Sequence, residues 1–232
     1  MEFIDIFGID YKDLKISNVL QFDIDTGYAA PIYCKPHSLP YKHKQFIKDE
    51  LDAAVRAGTI EDPIKELCRW GFPIWVVKKP KTNELPMVGD FRLLNKRTIL
   101  DEVAIPDIKE TIEQLSGSQV YSLLDFLKAF NQIENTPKAK ERLVMATEHG
   151  NYRCLTMPFR PTGAPDTFAK AICITFRELL DIIASYFDDV TVHSKHSNHH
   201  LNHLRWTFEV VRKYKFTSKP DKCLFFKKRQ NF

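Results

Sequence analysis

No apolar stretch in this sequence approaches the roughly 20 residues that a membrane-spanning helix needs. The opening Met1-Glu2 brings no positively charged, apolar leader either, so an intracellular protein with no membrane partner is expected. The five cysteines, Cys34, Cys68, Cys154, Cys173 and Cys223, include no C-x-x-C pair, which argues against a disulfide framework and a zinc knuckle. A large excess of one charge is also missing: the net charge is +4, too small to mark a nucleic-acid binder by itself. What is there is 232 residues, 44% hydrophobic and 28% charged, enough to bury the core of one compact unit built from two subdomains. The charge is unevenly placed. Residues 1–33 hold two Lys against six Asp or Glu, whereas 205–232 hold nine Lys or Arg against Glu209 and Asp221. Such a basic end suits phosphate contact, and equally a solvated face.

Ile182 to His193 is the most informative stretch. Two apolar, β-prone runs flank Asp188-Asp189, which reads as a β-hairpin with an acidic pair at its tip. Tight turns favour Asn-Gly, Asp-Gly or Gly, so two adjacent carboxylates break a local rule without a packing gain. Clustered carboxylates on a rigid apolar hairpin suit a divalent cation such as Mg²⁺, which takes hard oxygen ligands. An exposed acidic turn is the plain alternative. Upstream, Asp125 interrupts the apolar run Tyr121 to Phe130, and a carboxylate there is costly to bury without a partner or a metal. It is the candidate third ligand.

On these residues the sequence resembles the reverse transcriptase of gypsy-type long-terminal-repeat retrotransposons and, more distantly, of retroviruses. The matching motifs are Leu123-Leu124-Asp125 with Phe130, Gln132 and Ile133; Met157-Pro158-Phe159; Ala164-Pro165 with Thr167-Phe168; Tyr186-Phe187-Asp188-Asp189; Asp90-Phe91-Arg92 with Leu94-Asn95; and Lys222-Cys223 with Phe225 to Lys228. They run in the family's order from about residue 22 to the end.

The resemblance implies an α+β fold of fingers and palm, the palm a small antiparallel sheet with helices on one face. Fingers are expected at about 38–99 and 133–163, palm at about 100–132 and 164–232, behind an acidic lead-in or linker at 1–37. Thumb, RNase H and integrase are expected to be absent from the chain and to belong to the rest of a Pol polyprotein. The implied activity is RNA-directed DNA polymerisation, with RNA or DNA template, primer and deoxynucleoside triphosphates as partners. The implied cofactor is two Mg²⁺ ions, with Mn²⁺ as a substitute. Asp125 and Asp188 would bridge both ions, the Phe126 carbonyl would join one, and Asp189 would complete the catalytic set. Lys79, Phe130 and Phe159 would face the nucleotide, Phe130 as a gate against the ribose 2′-hydroxyl, and Tyr186 and Phe187 would form the primer-side hairpin. The implied location is cytoplasmic, in virus-like particles for an active element.

Two departures from the family pattern carry a different expectation. Leu85-Pro86 stands where relatives have a basic residue on the returning fingers strand, and Arg160-Pro161 follows Phe159 where relatives have glycine. A decayed, catalytically inactive remnant that at most binds nucleic acid would tolerate both.

The rest of the chain reads locally. Asp25-Thr26-Gly27 copies the aspartic-protease tripeptide but lies among Pro31, Pro36 and Pro40, without a glycine-rich flap, and is taken as a decoy. Ile47, Leu51, Ala54 and Val55 predict a helix over 41–57 capped by Gly58. Trp70 to Lys79 and Met87 to Leu94 predict a hairpin, as do Leu143 to Thr147 and Tyr152 to Thr156. Asp166 to Leu180 is expected to be helical. His193, His196, His199, His200 and His203 crowd together without a supporting Cys or carboxylate set, so a helix with Leu201, Leu204, Phe208 and Val211 on its core face is preferred to a zinc site.

Overall fold

The computed structural model describes residues 2–38, 40–64, 67–76, 87–100, 113–186 and 189–228. In chain order its elements are β1 (Ser17–Phe22), α1 (Tyr41–Arg56), β2 (Phe72–Val76), β3 (Met87–Gly89), α2 (Arg92–Asn95), β4 (Val120–Asp125), β5 (Ile133–Asn135), α3 (Pro137–Arg142), β6 (Val144–Thr147), β7 (Gly150–Arg153), α4 (Ala164–Phe176), β8 (Ile183–Tyr186), β9 (Asp189–Ser194), α5 (Ser197–Lys213) and β10 (Leu224–Lys228). They pack as two units. The first comprises Met1–Leu20, Glu102–Gln132 and Pro165–Phe232, the second Gln21–Asp101 and Ile133–Ala164.

In the first unit β10, β4, β9 and β8 lie side by side in that order, every pair antiparallel. Side chains alternate between the two faces of a strand, so Leu124, Val190 and Val192, all fully buried, share one face. The same parity carries Phe126, whose ring meets Phe168 of α4 at 6.2 Å and Phe216 at 5.1 Å. Helix α5 packs there too. This is the α+β arrangement expected, an antiparallel sheet with helices on one face.

Helix α5 corrects one detail. It buries His200, Leu204, Thr207 and Val211, the stripe of an amphipathic helix, while Leu201 is 63% exposed. An imidazole can occupy the core when both nitrogens are partnered. Here Nε2 lies 2.7 Å from Ser122 Oγ of β4 and Nδ1 lies 2.6 Å from Ser194 Oγ of β9. Periodicity cannot find such a residue, because its partners come from other strands.

The lead-in contributes side chains to both units. Ile6 in the first unit and Phe22 and Ile24 in the second are at most 1% exposed, and Phe3 and Phe7 set their rings 5.4 and 5.8 Å from Phe208. Short 3₁₀ turns and one strand are too brief for a hydrophobic period to register. The charge asymmetry is also partly consumed within the first unit: Glu2 pairs with Arg205 at 3.1 Å, and Asp5 forms an ion pair with Arg212.

The second unit holds the sheet β3-β2-β6-β7, with β2 antiparallel to β3 and parallel to β6. The β2–β3 hairpin is present, with Ile74 opposite Gly89, but its returning strand ends at Gly89 and not Leu94, because Arg92–Asn95 turns into α2; residues 77–86, Lys79, Leu85 and Pro86 included, lie outside the described residues. In the β6–β7 hairpin Thr147 faces Gly150, so the turn is Glu148-His149 rather than four residues long. Gly150 sits at φ +125°, a conformation glycine adopts freely. Helix α1 buries Ile47, Leu51 and Ala54 as its spacing predicts. The decoy tripeptide is a structural knot: Asp25 accepts from the Gly27 N–H and pairs with Lys138 at 2.8 Å, and the Arg142 Nε donates to Thr26 Oγ1 at 3.0 Å. Those partners hold the Asp25 carboxyl below the usual carboxylate range, the lysine contributing most.

Candidate active site

Asp125 ends β4 and Asp189 begins β9, and the register sets them directly opposite each other. Two backbone hydrogen bonds fix the kind of pair. The Asp125 carbonyl accepts from the Lys219 N–H at 2.8 Å, on the side away from β9, and the His193 N–H donates to the Ile182 carbonyl at 2.8 Å, on the β8 side. Counting by twos from His193, the Asp189 backbone also turns towards β8. The two aspartates are therefore a non-hydrogen-bonded pair, with Cα atoms about 4.5 Å apart and side chains at their closest. Both lie on the face opposite α4 and α5. A sheet normally avoids like charges in that relation, so the position calls for a counter-charge.

One counter-charge is supplied by the protein. Lys222 Nζ lies 3.2 Å from Asp125 Oδ2, whose side chain is 23% exposed. Lys222 is delivered by the segment Thr217–Lys219, which pairs with the chain after β4: the Leu127 N–H donates to the Thr217 carbonyl at 2.9 Å, and Phe126 faces Ser218 across an antiparallel bridge. Because those bonds flank Phe126, its own carbonyl is directed to the β9 side. Fully buried Gln132 pins the arrangement, its Nε2 donating to the Leu127 and Thr217 carbonyls at 2.7 and 2.8 Å and its Oε1 accepting from the Thr217 N–H at 2.7 Å. Sequence reasoning noticed Gln132 and Lys222 only as members of motifs. A glutamine seven residues past the end of an apolar strand signals a buried polar role only once its partner 85 residues away is known.

The other candidates divide between the units. Tyr186 faces Asp189 in the β8–β9 hairpin. Phe187 and Asp188 lie outside the described residues, as Lys79 does. Phe130 is half-buried, its ring 5.7 Å from that of Phe168 in α4. Phe159, 64% exposed, belongs to the second unit.

In that unit a second carboxylate is firmly held. Asp90 accepts from Arg92 Nε at 2.7 Å and from its terminal nitrogen at 2.6 Å, and from the Trp75 indole at 3.1 Å. The guanidinium above all keeps the Asp90 carboxyl far below the usual range. With this partner Arg92 braces β2 against α2.

A strand ending in an aspartate, antiparallel to a hairpin that presents a second one, on a sheet backed by helices, is the frame of a polymerase palm. The sequence bears this out: the family described as "Reverse transcriptase (RNA-dependent DNA polymerase)" matches residues 77–232, and the chain belongs to it. It is 30% identical over 233 residues to the retrovirus-related Pol polyprotein from transposon 297 of Drosophila melanogaster, covering 97% of this chain and 22% of that protein. It is 24% identical over 227 residues to the Pol polyprotein from transposon gypsy of the same organism, covering 95% and 22%. The chain thus spans about a fifth of the length of these relatives. Among solved structures, the native protease-reverse transcriptase of prototype foamy virus superposes with a TM-score of 0.85 at 17% identity, covering 97% of this chain and 30% of that one. The foamy viral enzyme in complex with an RNA/DNA hybrid gives 0.80 at 19%, covering 97% and 32%. Among the described residues no helix is long and apolar enough to cross a membrane.

Proposed function

We propose that this chain adds deoxynucleotides to a primer 3′-hydroxyl under the direction of an RNA or DNA template, as the polymerase portion of a retrotransposon Pol polyprotein. The observation that carries the reading is the close pairing of Asp125 with Asp189 on the sheet face opposite α4 and α5. Two hard carboxylates with a backbone carbonyl turned towards the β9 side beside them are a donor set suited to Mg²⁺ or Mn²⁺. Asp125, Asp188, Asp189 and the Phe126 carbonyl would hold the ions. Bound there, divalent metal supplies a lowered pKa for the primer hydroxyl and neutralisation of the leaving pyrophosphate.

The protein's own part is to position. β4 and β9 hold the carboxylates at fixed spacing, Lys222 balances Asp125 before metal enters, and Gln132 locks the segment that carries Lys222. Phe130 is the gate against the ribose 2′-hydroxyl, Phe159 and Lys79 attend the nucleotide, and Tyr186 and Phe187 the primer. Foamy viral relatives solved with double-stranded DNA and with an RNA/DNA hybrid support nucleic acid as the partner. The rest of a Pol polyprotein would complete the machine, in cytoplasmic virus-like particles.

Primer extension on poly-rA with oligo-dT and Mg²⁺ or Mn²⁺, beside an Asp188→Asn control, tests the reading. Extension lost in the control supports it; equal signals in both proteins sink it. One observation favours a second reading, an inactive remnant that only binds nucleic acid: Arg160 sits at φ +90° where relatives have glycine. Salt-sensitive binding without extension would favour that remnant.

A further inference from the structure

The turn that follows Phe159 contains two residues with positive φ, Arg160 at +90° and Gly163 at +87°. Glycine takes that conformation at no steric cost, whereas an arginine there carries strain. Something must hold it, and the structure shows what does. The Asn95 side chain spans the strained residue: its Nδ2 donates to the Arg160 carbonyl at 3.0 Å, and its Oδ1 accepts from the Thr162 N–H at 2.9 Å. Asn95 is itself fixed at the end of α2, its N–H donating to the Phe91 carbonyl at 2.8 Å, beside fully buried Leu94.

We infer that Asn95 is a positioning residue for nucleotide binding, clamping the 160–162 backbone so that exposed Phe159 is held in place for the incoming nucleotide. The nucleotide half of this inference rests on the polymerase reading above; the clamp does not. Only asparagine fits both contacts. Aspartate would set an oxygen against the Arg160 carbonyl, and alanine would release both groups. The clamp also accounts for how this chain accommodates a non-glycine residue: the two-point amide compensates locally for the strain of the Arg160 backbone.

The test compares the unmodified protein with Asn95→Ala, Asn95→Asp, Arg160→Gly and the Asn95→Ala/Arg160→Gly pair. Two quantities are read: thermal stability, and the affinity of a primer–template complex with a dideoxy-terminated primer for the next correct deoxynucleoside triphosphate. Asn95→Ala and Asn95→Asp should each weaken nucleotide affinity about tenfold, with duplex affinity unchanged. Because glycine needs no clamp, the paired variant should recover most of that loss, and Asn95→Ala should cost at most half as much thermal stability in the glycine background. Equal stability losses in both backgrounds, with nucleotide affinity unmoved, would overturn the inference and leave Asn95 an ordinary polar contact. If all five proteins fail to take up nucleotide while the stability coupling holds, the polymerase reading and the nucleotide role fall together and the clamp stands.

Discussion

Asp125 and Asp189 face each other across β4 and β9 in the narrow position of an antiparallel pair, where side chains lie closest. Stability and chemistry make opposite demands of such a pair. Asp189→Asn should leave the metal-free protein as stable or more stable, by about 0.5 kcal/mol or ~2 °C, because a like-charge contact is removed. Its affinity for Mn²⁺ should fall about tenfold with the loss of one anionic ligand. Melting in chelator and Mn²⁺ titration by electron paramagnetic resonance measure the two. A clear drop in melting temperature with unchanged Mn²⁺ binding would remove the metal site from consideration.

Lys222 is the internal counter-ion of Asp125. A cation held by Asp125 would have to displace this ammonium group, so Lys222→Met should raise Mn²⁺ affinity several-fold. Partly exposed ion pairs contribute little to stability, and the melting temperature should barely move. Weaker Mn²⁺ binding in Lys222→Met would mean that the lysine supports the site rather than competing for it.

Burial pushes the His200 imidazole down to about 4 from its usual 6.5, with His203 and His193 adding to the effect, and burial lowers His193 as well. A depressed folded-state pKa means that the unfolded chain takes up the proton first. The stability associated with neutral His200 is therefore whole above pH 6.5 and is lost as the pH falls towards 4, up to about 3 kcal/mol. Melting curves between pH 8 and 4 should show a steep decline that Asn, Gln or another non-titrating residue at this position flattens. His200→Gln retaining the full slope would place the titration elsewhere.

Phe130 leans on Phe168 while remaining half-buried. As a gate, Phe130→Ala should increase ribonucleotide incorporation relative to deoxynucleotide by at least tenfold, the range that contacts to a single hydroxyl command. Equal losses for both sugars would make the ring a core residue only.

Much of this was legible from the residues in order. Apolar runs interrupted by Asp125 and by Asp188-Asp189 announced strands carrying carboxylates, because a charge in a buried run has to be compensated. The 41–57 helix followed from its spacing, and the mismatch of Arg160 with glycine pointed to a turn in which the structure finds Arg160 at φ +90°. Hairpin turn lengths were less legible: Thr147 pairs with Gly150 because glycine accepts φ +125° and so tightens the turn.

By itself, then, the sequence determined which segments bury apolar surface, where carboxylates interrupt them, and the family those interruptions belong to; these depend on local composition and spacing. Only the tertiary structure decided that Asp125 meets Asp189 in a narrow pair, that Lys222 neutralises one of them, and that Asn95 clamps Arg160 from 65 residues away. It also decided that His200, not Leu201, enters the core. Each of these depends on register and on hydrogen bonds between strands far apart in the chain, where a shift of one residue turns every side chain to the other face.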